Sequence, residues 1–77
     1  MNMKILQIKF SNTSDNINKF LQWSEAVDGA VLLFHENDNY AINGKSTFNM
    51  LQFDTNREFY ILFTPDQDFE NKIKTLK

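Results

Sequence analysis

The chain has 77 residues, of which 42% are hydrophobic and 23% are charged, and it contains no cysteine. This length favours one domain over residues 1–77 and excludes a two-domain enzyme with an interdomain cleft, while the missing cysteines exclude disulfides. The net charge of −2 is spread along the chain without a polybasic run, which argues against nucleic acid as a partner. No apolar stretch is long enough for a membrane span and no signal-peptide pattern opens the chain, so we expect a cytoplasmic protein without a membrane partner.

The first elements predicted along the chain are a strand and a helix. Residues 4–10 alternate between apolar and polar side chains, which is typical of a half-buried strand. The polar cluster 11–15 favours a helix start, and helical apolar spacing follows over 16–27 until Gly29. The predicted buried face of this helix consists of Ile17, Phe20, Leu21, Ser24 and Val27.

A β-hairpin and a short helix come next. The apolar run 30–35 predicts a buried strand, and residues 40–42 return as a second strand after the polar turn 36–39. Ser46 is then suited to cap a short helix that extends to Phe53, because its hydroxyl can accept from the amides of the first turn.

The last predicted elements are a strand over 58–64 and, after Pro65, a helix over 66–76. The complete order is β-α-β-β-α-β-α. Such strands pair most simply as one four-stranded antiparallel sheet with three helices on one face. The sequence therefore predicts an α+β fold, an open-faced β-sandwich.

Three segments of the chain also carry a family likeness. Residues 18–26, with Phe20 at an aromatic position, suit a first helix, and residues 27–31 suit the start of a second strand. Residues 43–53 suit a strand-to-helix connection in which the triplet 44–46 opens the short helix. Together these segments resemble the HPr phosphocarrier family of the bacterial phosphotransferase system over nearly the whole chain. The resemblance implies a single HPr-like domain.

The resemblance also implies a phosphorylatable histidine before the first helix and an arginine two residues later. Counting back from Phe20 puts Thr13 at the histidine position and Asp15 at the arginine position. Threonine cannot form a labile phosphoramidate, and a carboxylate repels phosphate. We therefore expect neither phosphocarrier activity through this loop, nor enzyme activity, nor a cofactor. His35, the one histidine, is interpreted as a strand-end or turn residue, with a divergent phosphocarrier that uses it as a weaker alternative.

The short helix carries the residues that the resemblance connects with regulation and partner binding. The serine matching Ser46 in Gram-positive family members is phosphorylated by an ATP-dependent kinase, and the modified protein acts as a corepressor in catabolite control. A phosphate is favoured at a helix N-terminus, but Ser46 is first interpreted as an N-cap. The resemblance makes Thr47, Phe48 and Leu51 partner-binding residues. The alternative is that Phe48 and Leu51 pack under the hairpin.

Clusters of titratable residues give only weak indications of a metal site or of catalysis. His35 and two carboxylates of the hairpin turn suit at most a weak surface ion, and we expect no metal site. Asp66, Asp68 and Glu70 begin the last helix, where acidic side chains complement the helix dipole; we prefer this interpretation to paired-carboxylate catalysis.

The sheet face without helices is a further predicted surface. It should carry Tyr60, Leu62, Ile5 and either Leu32 or Leu33, and a contiguous patch there would indicate a partner or a homodimer.

The resulting hypothesis for the whole chain is a non-enzymatic, HPr-like regulatory or protein-interaction domain whose protein partner is unidentified. The alternative is a regulatory phosphoprotein of the phosphotransferase system, modified on Ser46, that reports sugar status.

Overall fold

Four strands and three helices are present in the computed structural model, which describes residues 2–77. Their bounds are β1 Lys4–Ile8, α1 Ser14–Glu25, β2 Val31–Phe34, β3 Ile42–Asn43, α2 Thr47–Gln52, β4 Phe59–Phe63 and α3 Gln67–Ile73. This order confirms the predicted α+β fold class. Among the described residues, no helix is both long enough and apolar enough to cross a membrane.

The strands form one antiparallel sheet in the order β1-β4-β2-β3. Ile61 at the centre of β4 pairs with Leu6 of β1 on one side and with Leu33 of β2 on the other. Ile61 and Leu33 are fully buried, which places their side chains on the face that the helices cover. Since successive strand residues point to opposite faces, Leu32 lies on the open face. The sheet is therefore the predicted open-faced sandwich.

Phenylalanine rings join the helices to this sheet. Their centroids lie 5.1 to 6.0 Å apart in a continuous series of contacts from the end of α2 through β4 and α1 to α3. In order, the rings are Phe53, Phe59, Phe10, Phe20, Phe69 and Phe63. Aromatic pairs at such separations contribute about 0.5–1.5 kcal/mol beyond the area that they bury. The series fixes all three helices relative to the sheet.

Helix α1 begins and ends two residues before its predicted limits. It starts at Ser14 because Thr13 is the N-cap, with its hydroxyl accepting from the Asn16 amide at 3.1 Å. It ends at Glu25, although Val27 remains buried as predicted. The cluster before the helix contains several capping side chains, and the pattern alone did not identify the one that caps.

The second strand of the hairpin was predicted over 40–42, and its bounds were wrong. The Asp38 carboxylate accepts from the His35 amide at 2.8 Å, which takes the donor that continued strand pairing would need. Asn37 adopts φ +75°, so the chain turns back at once. Pairing begins only at Ile42, and Tyr40 stays outside the sheet with 76% of its surface exposed.

Gly29 has the positive φ expected of it, but not as the cap of α1. Its φ is +134°, and it lies three residues beyond Ala26, which is the actual C-cap. A Cβ at this position would overlap the Thr64 hydroxyl and lie 2.7 Å from the Thr64 Cβ. Thr64 in turn exchanges two hydrogen bonds of 3.1 Å with the backbone of Ala30. Glycine is thus required for the close approach of this loop to the end of β4.

Candidate functional site

The loop before α1 is where the HPr resemblance would place phosphoryl chemistry. The Thr13 hydroxyl is engaged as the α1 cap. Asp15 lies in the first helical turn with an exposed side chain, and its carboxylate is 3.1 Å from the Lys19 ammonium. The loop thus presents a capping hydroxyl and a carboxylate, and the carboxylate would repel a phosphate.

The backbone amides of residues 11–13, just before α1, are hydrogen-bonded within the protein. The Ser11 amide donates to the Lys77 carbonyl at 3.2 Å, and the Asn12 amide donates to the Asn56 side chain at 3.0 Å. The Thr13 amide donates to the Ser11 carbonyl at 2.8 Å. Phosphate binding at a helix N-terminus depends on free amides, so the amides of residues 11–13 would not contribute to an anion site here.

The triplet that opens α2 has a structural function. Ser46 is the N-cap, as predicted, and its hydroxyl accepts from the Asn49 amide at 3.3 Å. The Lys45 ammonium donates to the Val27 carbonyl at 2.6 Å, which ties this turn to the segment after α1. Gly44 is buried, and a Cβ there would overlap side chains of β2. The Ser46 hydroxyl itself is only half-buried.

The outer face of α2 carries the three residues that the resemblance assigns to partner binding. Thr47 is exposed, Phe48 exposes 69% of its surface and Leu51 exposes 67%. Met50 on the opposite side is fully buried and anchors the helix. The alternative interpretation, in which Phe48 and Leu51 pack under the hairpin, is therefore wrong. Being three positions apart, these two side chains are neighbours on the helix surface.

His35 directly follows β2, which agrees with its interpretation as a strand-end or turn residue, and its side chain is buried. Its ring stacks on Phe53 with centroids 4.2 Å apart and has an edge contact with Phe59. Nε2 lies 2.7 Å from the Asp54 carbonyl, so Nε2 carries the hydrogen that this carbonyl accepts. Nδ1 faces the Asp38 carboxylate at 3.6 Å. An imidazole packed in this way is poorly placed to receive a phosphoryl group from another protein.

Glu70 departs from the interpretation as a simple first-turn carboxylate. Its side chain is only 9% exposed, and its oxygens lie 2.7 Å from the Lys4 ammonium and 3.0 Å from the Lys74 ammonium. Hydrogen bonds from Lys4 first and Lys74 second hold the pKa of Glu70 below its ordinary value, against the opposing effect of burial. The residue links β1 to α3.

The other two acidic residues of α3 stabilise the helix. The Asp66 carboxylate is the N-cap and accepts from the Phe69 amide at 3.0 Å, while Asp68 pairs with Lys72 at 3.0 Å. Over residues 2–77, no group of three histidine or carboxylate side chains lies close enough to hold a metal ion.

The open face of the sheet carries an apolar row, since Ile5, Leu62 and Leu32 are successive partners in the register. Beside this row Tyr60 stacks on Phe34 with centroids 5.3 Å apart. The four strands have five, five, four and two residues. At about 3.3 Å per residue and about 4.8 Å between strands, the open face covers about 250 Å². A standard interface buries about 800 Å² per partner, so a homodimer would need further surface.

A groove that the sequence did not indicate lies between the hairpin turn and α2. Its volume is about 430 Å³. It is lined by Asn37, Asp38, Asn39, Tyr40, Ile42, Asn49, Gln52 and Phe53. Ten asparagines are dispersed along the chain, and only folding shows which of them come together. Asn49 and Gln52 are three positions apart on one helix and are therefore neighbours, and this spacing was the one sequence signal for the groove.

Comparison with known proteins does not place this chain in a family. No protein-family model matches the sequence, and no curated protein matches it. Neither comparison supports membership of the HPr family, so the HPr-like character of the chain stays a prediction from its residues and its element order.

Proposed function

We propose that the chain is a non-enzymatic, HPr-like protein-interaction domain that docks on a partner protein through α2 and carries no phosphoryl group. The observation that carries this proposal is the exposure of Phe48 and Leu51 side by side on one helix face. The proposal includes a cytoplasmic location and a protein partner rather than nucleic acid or a membrane.

The energetics of α2 support a docking role. Phe48 and Leu51 each leave about two thirds of their surface in water, whereas their neighbour Met50 is fully buried. Full burial of such a side chain contributes about 1.5–3 kcal/mol, so most of that free energy is still available to an interface. Isolated exposed apolar residues are common, but a contiguous pair on a six-residue helix forms a compact anchor.

The residues around α1 support the absence of carrier function. Thr13 is used as a cap, Asp15 is negatively charged, and the buried His35 lies after β2 against the end of α2. These positions leave the HPr-like fold without an accessible imidazole, since His35 exposes only 5% of its surface.

Phosphorylation is tested by intact mass after separate incubations with enzyme I plus phosphoenolpyruvate and with the HPr kinase plus ATP. We expect no mass gain in either reaction. A one-phosphoryl gain with the kinase alone, lost in Ser46→Ala, would establish the alternative of a regulatory phosphoprotein. A gain with phosphoenolpyruvate would overturn the interpretation of Thr13 and direct attention to His35.

Docking is tested by titrating the isotope-labelled chain with unphosphorylated enzyme I and with the kinase, as the partners that the resemblance implies. We expect amide shifts centred on α2 with at least one of them. Phe48→Ala should weaken that binding by tenfold or more, as expected of an interface anchor of about 2 kcal/mol. Ile5→Ala, an exposed apolar residue on the opposite side of the sheet, is the matched control. Binding that Ile5→Ala weakens and Phe48→Ala does not would contradict the proposal.

A further inference from the structure

The groove between the hairpin turn and α2 has walls held in place by His35. The His35 amide donates to Asp38 in the turn, and its Nε2 bonds to the Asp54 carbonyl just beyond α2. Its ring stacks on Phe53, the residue that caps α2. Binding sites for small molecules are usually preformed and have volumes of about 300–1,000 Å³, a range that includes this groove.

Carboxamides dominate the groove. Asn37 and Asn39 come from the turn, and Asn49 and Gln52 come from α2. Each carboxamide can donate and accept, and over residues 2–77 none of these four side chains hydrogen-bonds to another protein group. The groove therefore presents hydrogen-bond donors and acceptors side by side, and no other group in the described part of the chain pairs with them.

The charge and the apolar parts of the lining narrow the ligand class. Asp38 is the one charged residue in the lining, and its carboxylate disfavours an anion. Tyr40 places a ring that is 76% exposed on the rim, and Ile42 and Phe53 add apolar surface. A fitting ligand is neutral, has hydroxyl groups that both donate and accept, and has an apolar face for an aromatic ring.

A pyranose combines these properties, because its ring carbons form an apolar face and its hydroxyls surround the rim. We propose that this groove binds a neutral pyranose sugar, either free or as the end unit of a glycan. The C–H face packs on Tyr40, and adjacent hydroxyls pair with the carboxamides of Asn49 and Gln52. The residues of this groove differ from the docking residues Phe48 and Leu51, and the sugar proposal does not depend on the docking proposed for α2.

The test is a titration of the full, isotope-labelled chain with glucose, galactose and N-acetylglucosamine at up to tens of millimolar. We expect at least one sugar to shift the side-chain NH₂ signals of the groove carboxamides and the amides of the turn. Methyl glycosides distinguish the two sources. Retained binding shows that the sugar can be the end unit of a glycan, and lost binding restricts the ligand to a free sugar. Glucose 6-phosphate and a blocked neutral tripeptide test the two competing ligand classes.

Variants locate the binding. Tyr40→Ala should lower the affinity about tenfold, the upper range for an aromatic contact. Gln52→Ala should lower the affinity as well, whereas Gln22→Ala, which removes an exposed glutamine from α1, should not. Each variant is first shown to be folded by its amide spectrum. The proposal is overturned if no neutral sugar shifts the groove signals, if the phosphate or the tripeptide binds more tightly, or if Gln22→Ala and Gln52→Ala have equal effects.

Discussion

The exposure of α2's outer face makes a quantitative prediction about stability. Phe48 and Leu51 bury only about a third of their surface, and full burial contributes about 1.5–3 kcal/mol, so each contributes roughly 0.5–1 kcal/mol to folding. Alanine has the highest helix propensity, and this propensity offsets the lost burial by up to about 0.7 kcal/mol at each position. The double variant Phe48→Ala/Leu51→Ala loses about 1–2 kcal/mol of burial, which the helix propensity of alanine offsets in part, so the free energy of unfolding should fall by about 1 kcal/mol.

Met50→Ala is the contrasting variant on the same helix. Met50 is fully buried, and truncating a buried methionine to alanine costs about 2–5 kcal/mol. A domain of this size has a total stability of about 4–12 kcal/mol, so this loss is readily measured. Urea unfolding followed by Trp23 fluorescence gives both values, provided that the denaturant slope is unchanged. If Phe48→Ala were as costly as Met50→Ala, then Phe48 would pack in the core and the docking surface would not exist.

Three further variants test contacts that hold the fold. Gly29→Ala should lower the free energy of unfolding by about 1–3 kcal/mol, because φ at this residue is +134° and a Cβ would overlap the Thr64 hydroxyl. Thr64→Ala removes this hydroxyl and keeps the Cβ, so the loss in that background should be smaller, and an equal loss would contradict the overlap with the hydroxyl. The lysines around Glu70, Lys4 first, keep its pKa below the ordinary 4.5, so its contribution is fully present above pH 4.5 and is lost as the pH falls through the folded-state pKa. The stability difference between the natural chain and Glu70→Gln should therefore shrink below pH 4.5, and a constant difference would refute the pairing. His35→Phe keeps a ring against the core but leaves a carbonyl without its donor, and thermal or urea unfolding should show a loss of about 1–3 kcal/mol rather than none.

The fold was predictable where a regular pattern of apolar side chains extends over enough residues to define a buried face. Residues 59–63 alternate over five positions, and every odd residue is buried as predicted. The hairpin shows the limit of this approach. The hydrogen bond from the His35 amide to Asp38 ends the pairing two residues early, and no periodicity encodes a bond between a side chain and the backbone.

The candidate functional residues were less predictable, because the burial of a side chain depends on how the helices and strands pack against one another. A six-residue helix has fewer than two turns, so its pattern could not show whether Phe48 faces the hairpin or water. Glu70 looked like an ordinary first-turn carboxylate, and only the approach of β1 brings Lys4 to it. The groove depends on the turn and α2 lying side by side, which is a property of the folded chain and not of either segment.

The capping contacts at the start of α1 are separate from the contacts that anchor α2, and this separation bears on the proposed function. Thr13 caps α1 and the amides of its loop bond to distant backbone and side-chain groups, whereas α2 is held by its own cap Ser46, by Met50 and by Phe53. Residues at the start of α1 can therefore change without moving the outer face of α2, since sites that share no partners act nearly independently. Under the proposed function, a chain with Thr13 at this position lacks phosphoryl transfer and keeps the proposed docking surface on α2. On that reasoning Thr13→His should leave the affinity of an α2-dependent partner unchanged.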